Sequence, residues 1–383
     1  MKQDWDVLIV GAGAAGLMCG IQLGRAGFSV LILDKNNKIG KKLAATGNGR
    51  CNFTNLNMNA DCYYGEPALI HAALEFCPPE KLIAEMERLG IYYRQKEGYV
   101  YPYTNQAATV VEHLQKAAGV WNVMVVPECP VKKIQKTDKR FAISTDKGQY
   151  YSRYIVLATG GAASRELGGD LCGYALAKKF GHSVTALYPG LTGLIAAGDF
   201  WNQVAGTRIQ GRFSLQIDDE VIAGEEGEIQ ITKSGVSGIP VFQMCRLAAE
   251  GLQKGKIVRG MIDFIPPMDP LQVEHWVKEY GFDGLVPAKW IPIIHKAKRP
   301  EKILKSFFFE IKDTMGLERA QVTAGGIPAE EVQVKTCESK FVPGLYLLGE
   351  LLDVDGKCGG YNLHFAFATA MMAATALIEK KEI

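Results

Sequence analysis

The residues whose types and spacing best serve chemistry are Gly11, Gly13 and Gly16, followed 18 residues later by Asp34. The glycines form a G-x-G-x-x-G turn with Ala14 and Ala15 inside it. Such a turn brings backbone N–H groups against a pyrophosphate, and an acid ending the next strand accepts hydrogen bonds from a ribose diol. The pattern therefore predicts a site for the ADP half of NAD or FAD. Asp34 argues against the 2′-phosphate of NADP at this site, because two negative groups would meet.

The elements that must position these residues lie on both sides of the turn. Val7–Val10 is a short apolar run bounded by glycine, which predicts a buried parallel strand. A helix is predicted from the turn to about Arg25, and Phe28–Leu33 forms the next apolar run. The helix would face the phosphates with unpaired N–H groups and the positive end of its dipole. This order makes the motif more specific than its glycines alone.

A second glycine-rich junction lies near the C-terminus. Gly344–Gly349 is predicted to be a buried strand, followed by Glu350 and Asp353, and Gly359–Asn362 opens another helix. NAD alone does not need two such junctions. FAD is long enough to reach both, since a carboxylate can hold its hydroxyls and a second helix N-terminus can face the flavin pyrimidine edge. The two ends of the chain together therefore predict FAD.

The middle of the chain has a different pattern. From about Gly190 to Arg319, short alternating apolar runs and a helical stretch near Ile239–Glu250 predict an insert. The predicted fold class is α/β: a Rossmann-like FAD-binding domain of the glutathione-reductase type, with an inserted β-rich domain and a small helical subdomain. The predicted boundaries are residues 1–189 for the first part of the FAD-binding domain, 190–319 for the insert and 320–383 for the C-terminal return.

Three further segments carry local predictions. Lys35–Asn55 is rich in Lys, Gly and Asn and is predicted to be an extended loop. Pro67–Gly90 has helical periodicity, and Leu363–Ile378 is predicted to be a buried helix rather than a membrane span, because it contains a histidine and two threonines.

The composition argues against several kinds of partner. The 383 residues are 48% hydrophobic, and 43 Lys+Arg against 41 Asp+Glu give a net charge of +2. We find no basic run and no aromatic–basic interleaving, so a small-molecule substrate is expected, without nucleic acid or membrane; the oligomeric state is left open. Nine cysteines without a C-x-x-C pair predict thiols, and the N-terminus lacks the features of a signal peptide, so the expected location is cytoplasmic.

Three longer motifs resemble those of one bacterial family. They are residues 40–52 (GKKLAATGNGRCN), residues 323–326 (TAGG), and Gly349–Asp353 with Gly359–Asn362. The chain is similar over its whole length to the BaiN-type flavoproteins, which include aminoacetone oxidases and NAD(P)H-dependent reductases of bile-acid intermediates. It departs from their pattern at Asp34, where glutamate is usual, and at Tyr99, where an arginine is usual.

The resemblance implies a set of FAD contacts, with Val131 contributing its backbone at the adenine. The implied contacts are Gly11, Gly13, Ala14, Ala15, Gly16, Asp34, Lys35, Lys42, Thr46, Gly47, Asn48, Gly49, Arg50, Cys51, Asn52, Val131, Thr159, Gly160, Gly161, Gly349, Glu350, Asp353, Gly359, Gly360, Tyr361 and Asn362.

No catalytic residue can be assigned from the sequence. Arg50 suits phosphate or flavin carbonyl oxygens, whereas Cys51 lacks a second cysteine at dithiol spacing and is expected to pack. Tyr101, Tyr361 and His364 are candidate proton donors, and none is preferred. No spacing predicts a metal site.

The leading hypothesis is an FAD-dependent oxidoreductase. The resemblance implies either NAD(P)H-dependent reduction of an enone-type double bond, which we rank first, or oxidation of an aminoacetone-like amine by oxygen. With one G-x-G-x-x-G motif there is no second Rossmann domain for NAD(P)H, which would then be a transient donor. An FAD-binding tRNA-modification protein and a non-catalytic flavoprotein are the alternatives.

Overall fold

The computed structural model describes residues 4–382. The elements before the insert are β1 Asp4–Val10, α1 Ala14–Arg25, β2 Val30–Leu33, α2 Lys41–Gly49, β3 Thr54–Asn55, β4 Tyr63–Gly65, α3 Pro67–Phe76, α4 Pro79–Arg88, β5 Tyr93–Lys96, β6 Tyr99–Pro102, α5 Ala107–Val120, β7 Met124–Val126, β8 Val131–Lys136, β9 Phe141–Thr145, β10 Gly148–Leu157 and α6 Cys172–Lys178.

The insert and the C-terminal return follow in chain order. The insert contains β11 Tyr188–Gly190, β12 Leu194–Ala196, α7 Trp201–Val204, β13 Arg208–Ile217, β14 Glu220–Thr232, β15 Gly235–Ser237, α8 Ile239–Gln253, β16 Val258–Asp263, α9 Pro270–Tyr280, α10 Ile291–Ile294, α11 Pro300–Ile303, β17 Phe307–Thr314 and α12 Gly316–Arg319. The return contains β18 Val322–Ala324, β19 Leu345–Leu347, β20 Val354–Gly356 and α13 Tyr361–Glu382.

The chain divides into two compact units. The described residues up to Leu187, together with those from Val322 onward, form one unit, called here the terminal unit. Tyr188–Gln321 forms the other, called the barrel unit.

A parallel sheet organises the terminal unit. Its strands lie in the order β7-β2-β1-β10, and β19 pairs with the C-terminal half of β10. The register aligns the last residues of these strands, which are Val126, Leu33, Val10, Leu157 and Leu347. Because carboxyl ends of parallel strands meet at one edge, the loops that begin at residues 34, 11, 158 and 348 leave the sheet side by side.

The predicted C-terminal helix is a core element. Helix α13 packs against α1 and α3, and from Phe367 to Leu377 almost every side chain is buried. Among the described residues it is the one helix long and apolar enough to cross a membrane, and 67% of its most apolar window is buried within the protein. The expectation of a buried helix is confirmed, since the apolar surface that a lipid would cover is covered by protein.

The barrel unit is a closed barrel with the strand order β12-β15-β14-β13-β16-β17. Its core contains many aromatic rings, with Trp201 and Trp290 both buried and their ring centroids 6.3 Å apart. The β-rich character was predicted. Closure into a barrel was not, because the pairing of β12 with β17 joins residues more than 100 positions apart and leaves no local pattern.

Local structure differs from the sequence predictions in two places. The predicted loop 35–55 contains a helical turn from Lys41, but helical geometry ends at Thr46 (φ −64°, ψ 146°). The helical stretch 67–90 is two helices, α3 and α4, because Pro78 and Pro79 interrupt it.

Candidate dinucleotide site

The turn after β1 has the tight packing that its glycines predict. Gly11 has φ +107°, and a Cβ there would lie 2.3 Å from the carbonyl oxygen of Ala158. A Cβ on Gly16 would lie 1.9 Å from the carbonyl oxygen of Gly11. Gly13 is different, because a Cβ there meets nothing within 4 Å and the residue caps α1 without a side-chain hydrogen bond. The first turn of α1, including Ala14 and Ala15, thus presents its N-terminus to open space beside Gly13, as a phosphate site requires.

Asp34 directly follows β2 and is buried, and its carboxylate accepts hydrogen bonds from two backbone N–H groups of the protein. Its Oδ2 accepts the N–H of Ala12 at 2.6 Å, and its Oδ1 accepts the N–H of Asn36 at 2.7 Å. The carboxylate therefore holds the glycine turn in place, a role that sequence reasoning missed. Each carboxylate oxygen has a further lone pair, so the arrangement still allows a ribose hydroxyl to donate to it.

Two predicted neighbours of Asp34 lie on adjoining segments. Val131 begins β8 and is buried, and its carbonyl oxygen accepts the thiol of Cys172 at 3.8 Å. Lys35 forms an ion pair with Asp170. The lysine charge is therefore already balanced within the terminal unit.

Glu350 joins three of the predicted loops. Its carboxylate accepts two hydrogen bonds from the ammonium group of Lys42, at 2.7 and 2.9 Å, and one from the backbone N–H of Thr323, at 2.9 Å. A Cβ on Gly161 would lie 2.8 Å from Glu350 Oε1, so the segment Thr159–Gly161 comes close as well. The sequence assigned Lys42 and Glu350 separately to the cofactor and did not show that they pair with each other.

Asp353 has a buried carboxylate oxygen without a hydrogen-bond partner. Its Oδ2 accepts the hydroxyl of Thr185 at 2.8 Å, whereas its Oδ1 is buried without a hydrogen-bond partner among residues 4–382. Burial, and next the charges of Glu350 and Asp353, raise the pKa of the nearby Tyr174, a residue that sequence reasoning did not select. A buried carboxylate oxygen without a donor is costly. A ligand that brings a hydroxyl, such as the ribityl chain of FAD, would satisfy it.

The loop from Thr46 to Asn52 has an unusual backbone. Gly47, Asn48, Gly49 and Cys51 all have φ between +54° and +82°. The carbonyl of Thr46 accepts the N–H groups of Arg50 and Cys51 at 3.1 and 3.0 Å, which closes the loop.

Cys51 packs inside this loop, as expected. Its side chain is fully buried, and burial raises the pKa of its thiol to about 12. The thiol is therefore protonated at neutral pH and is not a nucleophile.

The same loop lies against the start of α13. A Cβ on Gly360 would lie 2.7 Å from the carbonyl of Thr54 and 2.9 Å from Asn52 Oδ1, and the amide of Asn55 donates to the carbonyl of Gly359 at 3.0 Å. Asn362 both accepts the N–H of Gly356 and donates to its carbonyl, at 2.8 and 2.7 Å. The structure thus brings residues 46–52 and 359–362 together.

Two of the three candidate proton donors, His364 and Tyr361, form hydrogen bonds with other residues of the protein. The ring of His364 is fully buried between Thr54 and the carbonyl of Cys77, with both contacts at 2.8 Å, and burial lowers its pKa to about 4. Burial, and next a hydrogen bond with Cys62, raise the pKa of Tyr361. Tyr101 is half-buried and lies near Cys358, which directly precedes Gly359.

Two exposed tyrosines lie together at the surface of the terminal unit. The side chains of Tyr92 and Tyr103 are 65% and 64% exposed with ring centroids 5.5 Å apart, and Arg94 lies in the adjoining strand β5. The two tyrosines come from different segments of the chain and meet because β5 and β6 pair, with the N–H of Tyr103 donating to the carbonyl of Tyr92 at 2.8 Å.

The fold and the site define a class of protein. A parallel sheet with one G-x-G-x-x-G turn, and a C-terminal return that brings a second glycine-rich junction to the same edge, is the architecture of FAD-dependent oxidoreductases, and the chain is an enzyme of this class. The model of the HI0933-like protein Rossmann domain matches residues 5–376, and the chain belongs to that family.

Known proteins similar to this chain include two named enzymes and one solved fold. The 3-dehydro-bile acid delta(4,6)-reductase of Clostridium scindens is 37% identical, over 97% of this chain and 98% of the relative. A ribosomal RNA dihydrouridine synthase of Haemophilus influenzae is 29% identical, over 98% and 99%. The fold is similar to that of 3-ketosteroid delta1-dehydrogenase from Sterolibacterium denitrificans, with a TM-score of 0.57, 11% identity, and 99% and 100% of the two chains covered.

Proposed function

We propose that this protein uses bound FAD and NADH or NADPH to reduce an enone-type carbon–carbon double bond in a small molecule. The observation that carries the proposal is the full-length similarity, at 37% identity, to a reductase named for the delta(4,6) double bonds of a 3-dehydro-bile acid. FAD when bound would supply hydride transfer between donor and substrate.

The residues of the terminal unit fit FAD at four points. Gly13 leaves the N-terminus of α1 open for the pyrophosphate, and Asp34 lies beside it for the ribose. Asp353 offers an unsatisfied oxygen to a ribityl hydroxyl, and the start of α13 offers its positive dipole end to the flavin ring. Gly13 and Asp34 follow the carboxyl ends of the parallel strands β1 and β2, where dinucleotides bind in this fold.

The donor, the partner and the location belong to the same proposal. NAD(P)H is taken to be a transient donor, because the sequence has a single G-x-G-x-x-G turn. A cytoplasmic location and a small-molecule substrate agree with the predicted thiols and the net charge of +2.

An anaerobic flavin assay tests this function. NADH or NADPH should bleach the absorbance of the bound flavin, and a steroid 4-en-3-one or cyclohexenone should restore it with formation of the saturated ketone. No bleaching by either donor would refute the proposal, as would bleaching that no enone reverses. Bleaching by aminoacetone without NAD(P)H would favour an amine oxidase instead.

A second candidate is dihydrouridine synthesis in ribosomal RNA. It is favoured by the relative that is 29% identical and by the exposed side chains of Tyr92 and Tyr103 beside Arg94, since bases stack on aromatic rings near cations. The chemistry is related, because dihydrouridine forms when hydrogen is added across the uracil 5,6 double bond. Nucleoside mass spectrometry of ribosomal RNA from a strain lacking this gene would reveal it. Unchanged dihydrouridine would exclude this role.

A further inference from the structure

Two arginines flank Tyr101 in the terminal unit. Arg94 of β5 lies directly opposite Tyr101 of β6 in the antiparallel register, so the two side chains are cross-strand neighbours on one face. Arg50 comes from the loop after α2, and the charges of both arginines act on the Tyr101 hydroxyl. Neither arginine has an ion-pair partner within residues 4–382.

No carboxylate of residues 4–382 is among the groups that act on the Tyr101 hydroxyl. Besides the two arginines, the ionisable group that acts on its hydroxyl is the thiol of Cys358. That cysteine directly precedes Gly359–Gly360 at the start of α13, whose positive dipole end adds to the cationic character. A hydroxyl donor that lies opposite Arg94 and feels the charge of Arg50 suits an oxyanion rather than a neutral ligand.

Reduction of an enone produces such an oxyanion. When hydride adds to the β-carbon, the π electrons of the double bond move to the carbonyl oxygen and give an enolate. A proton from water then adds to the α-carbon, and the electron pair returns to form the ketone. Donors that are fixed around the developing charge lower the barrier of the first step.

We propose that Arg50, Tyr101 and Arg94 form the subsite that holds the substrate carbonyl oxygen as its negative charge develops. This inference rests on the proposed function. Tyr101 donates a hydrogen bond to that oxygen, and the two guanidinium groups neutralise it. Burial raises the pKa of Tyr101, so the hydroxyl keeps its proton at neutral pH and remains a donor.

The test uses an unreactive oxyanion. 4-Chlorophenol is titrated into the flavin-loaded protein, and binding of its phenolate, an enolate mimic, is followed by the long-wavelength absorbance of a phenolate stacked on oxidised flavin. Tyr101→Phe should weaken binding about tenfold and slow enone-driven reoxidation of the flavin about 100-fold, as loss of one oxyanion donor does elsewhere. Arg94→Gln should weaken phenolate binding about three- to tenfold, and more at low salt.

Matched controls come from the same two strands and their flank. Tyr103→Phe removes an exposed hydroxyl, and Lys96→Gln removes a charge opposite Tyr99. Both should match the unmodified protein in phenolate affinity and reoxidation. Flavin content and bleaching by NAD(P)H should be unchanged in all four variants, which shows that the fold and the donor reaction are intact.

The two proposals fail in different ways. If the unmodified protein is reoxidised by an enone while Tyr101→Phe and Arg94→Gln behave like it in both assays, the subsite is wrong and the function stands. If no enone reoxidises the unmodified protein, the proposed function fails. The phenolate titration then still decides whether these residues bind an oxyanion.

Discussion

Protonation of His364 should destabilise the protein in mild acid. The ring is fully buried, its Nε2–H donates to the carbonyl of Cys77, and its Nδ1 accepts the hydroxyl of Thr54. Burial lowers the pKa of His364 in the folded protein to about 4, from an ordinary value of 6.5. Between these values the unfolded chain binds more protons, so the free energy of unfolding falls as the pH falls through this window. The loss from this group is about 2 kcal/mol near pH 5 and about 3 kcal/mol when complete.

The assay compares the pH dependence of thermal unfolding, followed by tryptophan and flavin fluorescence, between the unmodified protein and His364→Gln. Glutamine does not titrate, so the variant should lose less stability than the unmodified protein between about pH 7 and about pH 5. His275→Gln, at a side chain that is 80% exposed, is the control and should keep the full pH dependence. Equal slopes for His364→Gln and the unmodified protein would refute the reasoning. His364 lies in the first turn of α13 and its ring connects this turn to Thr54 and Cys77. The release of bound flavin should therefore have the same pH dependence as the loss of stability.

Three further substitutions or modifications test the cofactor site. Gly11→Ala would place a Cβ 2.3 Å from a backbone oxygen at φ +107°, which should cost about 2 kcal/mol or more of stability in this turn and release bound FAD. The control is Gly255→Ala, where a Cβ meets nothing within 4 Å, and this variant should keep the full ratio of flavin to protein absorbance. Asp353→Asn should weaken FAD binding about 10- to 100-fold in a fluorescence titration. The FAD-free variant should be at least as stable as the unmodified protein, because an amide replaces a carboxylate with an unsatisfied oxygen. Unchanged affinity for FAD would remove Asp353 from the site. Cys51 should resist N-ethylmaleimide in the folded protein while the partly exposed Cys172 reacts, and mass spectrometry showing rapid labelling of Cys51 would contradict its burial.

Local rules predicted the parts of the fold that depend on local sequence. The turn at Gly11–Gly16, the strands around it and the buried helix α13 each have a pattern of glycines or apolar residues that a single segment contains. Pro78 and Pro79 could also have been recognised as a break between helices, since proline lacks the N–H and restricts the preceding residue.

The contacts that define the site depend on pairing between distant segments. Lys42 and Glu350 are 308 positions apart, and Arg94 faces Tyr101 only because β5 and β6 adopt one register. A shift of one residue would turn Arg94 to the other face. Sequence could therefore name Lys42, Glu350 and Tyr101 as candidates, but it could not show that Lys42 is neutralised by Glu350 or that Arg94, which it did not select, lies opposite Tyr101.

The carboxylates of the site have two different roles: Asp34 and Glu350 hold loops of the protein, whereas Asp353 has an oxygen available to a ligand. Asp34 and Glu350 accept backbone N–H groups from Ala12, Asn36 and Thr323, so their negative charge fixes loops that the parallel sheet has already brought to one edge. Fixed loops do not have to be ordered when the ligand binds, which lowers the entropic cost of binding. Asp353 keeps one buried oxygen without a partner among residues 4–382, and within the same residues Arg50 and Arg94 form no ion pair. These groups do not hold the loops in place, so substitutions there should change binding more than folding.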